Sequence, residues 1–212
     1  MADTTLTVWG IGTPRTLRAH WILAEFGLTY DRRPITSRSG ETKTPEFLAL
    51  NPKHKIPVLQ HGDRVLTESA AIVTYVSEAF AAPDRFYVPT DAAARATLNE
   101  WCFFIMTELD ALSLYVIRKH ADLHDIYGEA PGAIAAAKDN FVDLTSALFD
   151  GGRGDQEFLM PDGMSVADIL LTTCIQSARR RQIAVPDYLI DYNERMIQRP
   201  AFQEALAINT PE

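Results

Sequence analysis

The sequence predicts two units, an α/β unit first and an all-helical unit after it. Three observations predict this. Over roughly the first 80 residues, apolar runs of strand length alternate with runs at helical spacing. Proline and aspartate punctuate Ala81-Ala82-Pro83-Asp84 and Val88-Pro89-Thr90-Asp91, which reads as a linker. Beyond that point apolar residues recur only at helical spacing, and no strand is convincing.

Leu6 to Trp9 is a short strand, followed by a Gly10-Ile11-Gly12 loop. Thr13-Pro14 reads as the N-cap and first residue of a helix, because proline there lacks only an amide that the first turn leaves unpaired. This helix carries Leu17, Trp21 and Ala24 on one face and stops at Gly27, a residue free to take the left-handed conformation that ends helices. Leu28 to Pro34 reads as a second strand, and residues 35 to 43 as a polar loop. Thr44-Pro45-Glu46 repeats the cap-and-proline signal before a short helix, Phe47 to Leu50. Pro57 to Leu59 is a strand, His61-Gly62-Asp63 a turn and Arg64 to Leu66 another strand. After Thr67-Glu68-Ser69, the residues Ile72, Tyr75, Val76 and Ala79 fall at helical spacing. The order β-α-β-α-β-β-α is thioredoxin-like by fold-level analogy.

In the second unit Leu98, Trp101, Cys102, Ile105, Leu109, Leu112 and Val116 form one long helical stripe. Gly128 to Gly132 breaks the pattern, and a further helix from about Ala133 to Phe149 aligns Phe141, Leu144 and Leu148. Gly151-Gly152-Arg153-Gly154 reads as a mobile loop. Ser165 with Asp168 three residues later is a variant capping box, with Asp in place of the usual Glu or Gln. Arg199-Pro200 starts a last short helix.

Composition narrows the function. The chain has 212 residues, 47% hydrophobic and 23% charged, enough apolar material for a core. A net charge of −8 argues against nucleic acid or an anionic membrane as a partner. Cys102 and Cys174 sit among apolar neighbours and read as buried free thiols. The N-terminal MADTTLTVWG has no basic segment followed by an apolar run, so no signal peptide is expected. No uninterrupted apolar stretch is long enough for a membrane span, which makes a reducing cytoplasm the expected location. No metal site is expected.

Asn51 to Ser69, NPKHKIPVLQHGDRVLTES, outlines a small-molecule pocket. A helix N-terminus presents unpaired N–H groups and a partial positive charge, and so holds a carboxylate well. Ser69 adds a hydroxyl donor there, and Glu68 a neighbouring negative charge. Together they match an α-amino acid zwitterion, with the ammonium on Glu68 and the carboxylate on Ser69. With Ile56-Pro57 cis, the Ile56 N–H and C=O face outward and pair with an extended peptide. A plainer reading also stands: Ser69 caps a helix and Pro57 starts a strand.

N-P-x-x-K-I-P-V-L, then a turn, then L-x-E-S-x-A-I, resembles the glutathione-binding half of the cytosolic glutathione transferases. The resemblance is strong over residues 51–69 and clear over 13–30 and 164–171, and its type is bacterial, serine/threonine-type and theta/nu-like. One departure is His54, where the family commonly has glycine. The resemblance implies a cis bond at Pro57, glutathione on His54, Lys55, Ile56, Glu68 and Ser69, and the buried N-capping box of the helical domain at Ser165. It implies a thioredoxin-like domain over residues 1–82, a linker over 83–90 and an all-helical domain over 91–212 that shapes the electrophile site. It also implies glutathione as co-substrate with no permanent cofactor, a small electrophile as second substrate, and a homodimer. Phe104, Tyr115 and Arg118 are the candidates for the electrophile site, whereas Trp101 shares the core stripe.

The family activates the glutathione thiol near the first strand-helix junction. Trp9 stands where tyrosine-type members carry their catalytic phenol, and indole cannot replace a tunable hydroxyl. No cysteine lies near the junction, which removes thiol-exchange chemistry. Serine-type members carry their hydroxyl at the position of Thr13, with Thr16 the runner-up. A free thiol of pKa near 8.5 is only about 3% ionised at pH 7, and lowering that pKa by ~2 units needs about 2.7 kcal/mol. One hydrogen bond to the thiolate supplies roughly 1.5–3 kcal/mol and a helix N-terminus roughly 0.3–1 kcal/mol, so no general base is required. Thr13 is equally an ideal N-cap, with its hydroxyl bonded to its own helix. Two other functions share these features: non-catalytic binding of glutathione or an apolar ligand, and a glutathione-dependent peroxidase or lyase.

Overall fold

The computed structural model describes residues 5–149 and 156–211. The glycine-rich loop expected at residues 151–154, and the side chain of Leu148, lie outside the described residues. The chain divides into two compact units, Met1–Val88 with Ile197–Glu212, and Pro89–Met196.

The first unit is built on a four-stranded sheet in the order β2-β1-β3-β4, from β1 (Leu6–Ile11), β2 (Asp31–Thr36), β3 (Val58–His61) and β4 (Arg64–Thr67). β1 pairs parallel with β2 and antiparallel with β3, and β3 pairs antiparallel with β4. The helices are α1 (Pro14–Glu25), α2 (Pro45–Leu50) and α3 (Ser69–Ala79). The expected thioredoxin-like order is therefore present. β2 is an exposed edge strand, and Pro34 within it fits an edge, where one missing amide breaks no ladder.

β2 starts three residues later than its apolar pattern predicts. The Gly27 N–H bonds to the Ala24 carbonyl at 3.1 Å and the Leu28 N–H to the Leu23 carbonyl at 3.0 Å. With Gly27 at φ 60°, this is a Schellman end to α1, so Leu28 still belongs to the helix terminus. The expected apolar face of α1 is also too narrow. Every residue from Thr16 to Leu23 is buried, because β1, α3 and α10 (Pro200–Asn209) all pack on this helix.

α10 thus groups with the first unit, although the sequence places it in a helical domain over residues 91–212. Contacts at its start help hold it to α1. The Arg199 guanidinium grips Glu25 through Nε at 2.7 Å and Nη2 at 2.8 Å. The rings of Trp21 and Phe202 meet edge to face with centroids 4.9 Å apart.

The second unit contains α4 (Ala92–Phe104), α5 (Tyr115–Ile117), α6 (His124–Tyr127), α7 (Pro131–Phe149), α8 (Val166–Arg180) and most of α9 (Asp187–Ile197). Ile105–Leu114 and Arg118–Asp122, between these helices, are π-helical. The wider turn changes which side chains face inward. Leu98, Cys102, Ile105 and Leu109 are buried as expected, but the stripe then moves to Leu114 and Ile117, and Leu112 is 57% exposed. Among the described residues no helix is long and apolar enough to cross a membrane.

α8 is the buried helix of this unit, and Asp168 holds its start. Its carboxylate accepts the Ser165 N–H and O–H, both at 2.7 Å, the Leu159 N–H at 2.8 Å and the Tyr192 hydroxyl at 2.7 Å. Asp168 is 0% exposed, so no water replaces a lost partner. Asp168→Ala leaves four buried donors unpaired, each worth about 1–3 kcal/mol. The expected outcome is a melting temperature lower by about 10 °C or more, measured by calorimetry, with a smaller loss for Asp168→Asn.

Candidate functional site

The site begins where β1 turns into α1. Gly10 has φ 114° and Gly12 has φ 81°, conformations that only glycine adopts without strain. At Gly10 space is also short: an added Cβ would lie 2.6 Å from the Ile56 Cβ and 2.9 Å from the Thr16 Cγ2. This close approach seats the loop on the cluster of Trp9, Phe47, Ile56 and Val58.

Thr13 and Thr16 cap α1 reciprocally. Thr13 Oγ1 accepts the Thr16 N–H at 3.0 Å, and Thr16 Oγ1 accepts the Thr13 N–H at 2.9 Å. Thr16 is 0% exposed, and its hydroxyl proton goes to Asn209 Oδ1 at 2.6 Å. Thr13 is 8% exposed; its oxygen uses a lone pair in the cap and lies 3.0 Å from Thr16 Oγ1, which can accept its proton.

The second part of the site is the start of α3. Glu68 is the residue before the helix and has φ 71° with ψ 119°. Ser69 is therefore the first helical residue and not its cap, and it is 2% exposed. Its hydroxyl accepts from Arg18 Nη1 at 3.2 Å. Arg18 is itself 1% exposed, so α1 delivers a buried positive charge behind Ser69. Arg18 escapes a reading based on periodicity, but a charged residue inside a helix wrapped on all sides signals a polar partner.

The Asn51–Ser69 segment brings further charges here. Asn51 is fully buried, donates to the Lys55 carbonyl at 2.7 Å and accepts the Lys53 N–H at 3.1 Å, which shapes the loop before Ile56. The Ile56-Pro57 bond is cis. His54 has φ 57°, the left-handed conformation that glycine favours at such a position, and its side chain is exposed, as is that of Lys55. Lys53 is the cation that meets Glu68, with its Nζ 2.5 Å from the carboxylate and 2.8 Å from Thr67 Oγ1. Both partners are about half exposed or more, so the pair is worth about 0–1 kcal/mol and yields readily to a ligand ammonium.

Trp9 takes no part as a donor, because its indole N–H is spent on Gln60 Oε1 at 2.5 Å. Phe104, Tyr115 and Arg118 belong to the second unit. Phe104 lies edge-on to Trp101 with ring centroids 6.5 Å apart, and Tyr115 carries the Lys119 ammonium 5.1 Å from its ring centroid. Both cysteines are buried thiols outside any disulfide, and burial pushes the Cys102 thiol up to about 12, which makes it inert. Among the described residues no cluster of His, Cys, Asp or Glu is suited to a metal.

Residues 4–78 match the model of the glutathione S-transferase N-terminal domain. Glutathione S-transferase 3 of Zea mays is 29% identical over 208 residues, which cover 92% of this chain and 90% of the maize protein. Glutathione S-transferase theta-3 of Mus musculus is 31% identical over 159 residues, 74% of this chain and 66% of the mouse protein. The chain belongs to the glutathione S-transferase family. Among solved structures it resembles the theta class glutathione S-transferase of Xanthomonas axonopodis pv. citri with glutathione bound. That likeness has a TM-score of 0.79 and 25% identity, and covers 97% of this chain and 98% of the other.

In this chain a buried imidazole supports the loop from behind. His20 Nε2 lies 3.0 Å from the Gly10 carbonyl, which only accepts, so Nε2 carries the proton. Nδ1, 2.8 Å from the Tyr30 hydroxyl, then accepts from the phenol. Burial lowers the His20 pKa, which keeps the ring neutral, and pushes the Tyr30 phenol up to about 12. A histidine with a lowered folded pKa stabilises fully above its unfolded value of about 6.5 and loses that contribution as pH falls below it. The stability advantage of the parent over His20→Gln is therefore largest near pH 8. It shrinks as pH falls below about 6.5, as read from paired melting curves.

Proposed function

We propose that the chain is a glutathione transferase of serine/threonine type, theta/nu-like in character, with Thr13 as the catalytic hydroxyl. The observation that carries this reading is the division of labour on one oxygen. Thr13 Oγ1 accepts the Thr16 N–H through a lone pair, and its own proton faces the neutral Thr16 hydroxyl oxygen, 3.0 Å away. A thiolate is a charged acceptor and takes that proton more strongly than a neutral hydroxyl does, while the lone pair stays in the cap. Accepting an N–H polarises the hydroxyl and makes it a better donor to a thiolate. Thr16 is the poorer candidate, being fully buried with its proton on Asn209.

The γ-glutamyl end of glutathione lies on Glu68 and Ser69. Its ammonium joins or displaces Lys53 on Glu68. Its carboxylate takes the Ser69 hydroxyl and the first amides of α3, with Arg18 supplying charge from behind. The Ile56 backbone pairs with the cysteinyl residue, and Lys55 with His54 holds the glycyl carboxylate. The thiol gives its proton to solvent, and the sulfur then forms a bond to an electrophilic carbon while that carbon's leaving group departs with its electron pair. Phe104, Tyr115 and Arg118 are the residues proposed to meet the electrophile. The reading carries with it glutathione as co-substrate, the expected division of the chain at a linker over residues 83–90, a cytoplasmic location and a two-fold dimer.

Glu68→Ala and Ser69→Ala are expected to weaken glutathione binding roughly ten- to a hundred-fold with the fold retained, as measured by calorimetry. Unchanged affinity in both variants removes the pocket assignment. Thr13→Val is expected to raise the pKa of the bound glutathione thiol by about 1–2 units, with affinity nearly unchanged, and Thr13→Ser to restore it. Ultraviolet difference absorbance of the bound thiolate against pH reads this directly. A parental thiol pKa in Thr13→Val means that Thr13 is a cap and nothing more.

A further inference from the structure

Asn209, the last residue of α10, reaches the loop that carries Thr13. It is 7% exposed. Its backbone carbonyl accepts the Gly12 N–H at 2.8 Å. Its side-chain Nδ2 donates to the Thr13 carbonyl at 3.2 Å, and its Oδ1 accepts the Thr16 hydroxyl at 2.6 Å. Pro211 closes over Gly12, where an added Cβ would meet the proline Cγ at 3.1 Å. One residue thus holds Gly12, Thr13 and Thr16 together, from a position almost 200 residues away in the chain.

The loop requires such a brace. Thr13 is preceded by Gly12 and stands three residues after Gly10, both at positive φ, and glycine resists bending least of all residues. On its helix side Thr13 is fixed by Thr16. On its loop side the Asn209 carbonyl holds the Gly12 N–H, and Asn209 Nδ2 joins the Leu17 N–H on the Thr13 carbonyl. The brace is itself anchored, since α10 is held at its other end by Arg199 on Glu25 and by Phe202 against Trp21. A hydroxyl stabilises a thiolate only when its donor direction is held, and a displacement on the ångström scale forfeits most of the effect.

We infer that Asn209 is a positioning residue for the thiol-activating hydroxyl, acting through Thr13 and not on the substrate. This rests on the assignment of Thr13 proposed above. The bonds described for Asn209 go to Gly12, Thr13 and Thr16, so glutathione affinity is separable from thiol activation.

The test compares Asn209→Ala, Thr13→Val and the double variant. Each is titrated for the bound glutathione thiolate by ultraviolet difference absorbance, with glutathione affinity from calorimetry. Asn209→Ala is expected to raise the bound thiol pKa by about one unit, a roughly ten-fold loss of thiolate at a pH below that pKa. The dissociation constant for glutathione changes by less than about two-fold, and the double variant matches Thr13→Val alone. A purely structural role lowers the melting temperature and leaves the thiol pKa where it was. Asn209→Asp preserves the shape if the alanine variant does not fold: it keeps the acceptor for Thr16, loses the donor to the Thr13 carbonyl, and is expected to raise the thiol pKa as well. A parental pKa in the folded Asn209 variant beside a raised one in Thr13→Val overturns the inference. So does an equal shift from Asn209→Ala in the Thr13→Val background, because Asn209 then acts independently. A parental pKa in Thr13→Val removes the Thr13 assignment and this inference with it, an outcome visible in that variant alone.

Discussion

A helix cannot begin without leaving amides unpaired, and this constraint organises the first unit. α1 meets it with the reciprocal Thr13–Thr16 cap, and α3 begins at Ser69 directly after a residue with positive φ. Both helix starts carry candidate site residues, because the same unpaired amides and partial positive charge that burden a fold attract anions. Arg18 ties the two starts together, since it belongs to α1 and bonds the first side chain of α3. The demand for pairing and the capacity to bind are one property seen from two sides.

Much of this was legible in the sequence because it is local. Thr13-Pro14, Gly27, Thr44-Pro45 and Ser165 with Asp168 each encode a helix boundary within four residues, and each boundary is found where the pattern places it. Ile56-Pro57 and Glu68-Ser69 were legible through a resemblance to a family and not through periodicity. The pairings of Arg18 with Ser69, Lys53 with Glu68, Trp9 with Gln60 and Asn209 with Thr16 were not legible, because the residues are separated by 15 to 193 positions and no local rule links them. Thr16, Arg18 and His20 did carry a general signal: three polar residues on a helix that packs on all sides require partners from elsewhere.

The second unit teaches a different limit. Its long stripe follows a period of 3.6 as far as Leu109. The π-helical turns then displace the inward face, so that Leu114 and Ile117 replace Leu112 and Val116. Ser113 illustrates the geometry, with its hydroxyl on the carbonyl of Glu108, five residues back, at 2.9 Å. A hydrophobic pattern records which residues prefer burial but not the pitch of the backbone that buries them.

The grouping of α10 with the first unit bears on how the chain is made as well as on how it is held. A ribosome delivers β1, α1 and the whole sheet long before it delivers Phe202 and Asn209. Until then one flank of α1 has no neighbour, and Thr16 has lost the acceptor of its shortest hydrogen bond. The second unit is complete in sequence by Met196, so it is free to consolidate while the first still lacks its closing helix. The half whose strands are synthesised first is therefore the half that finishes last, and the loop that carries Thr13 takes its braced form only when Asn209 has left the exit tunnel and docked.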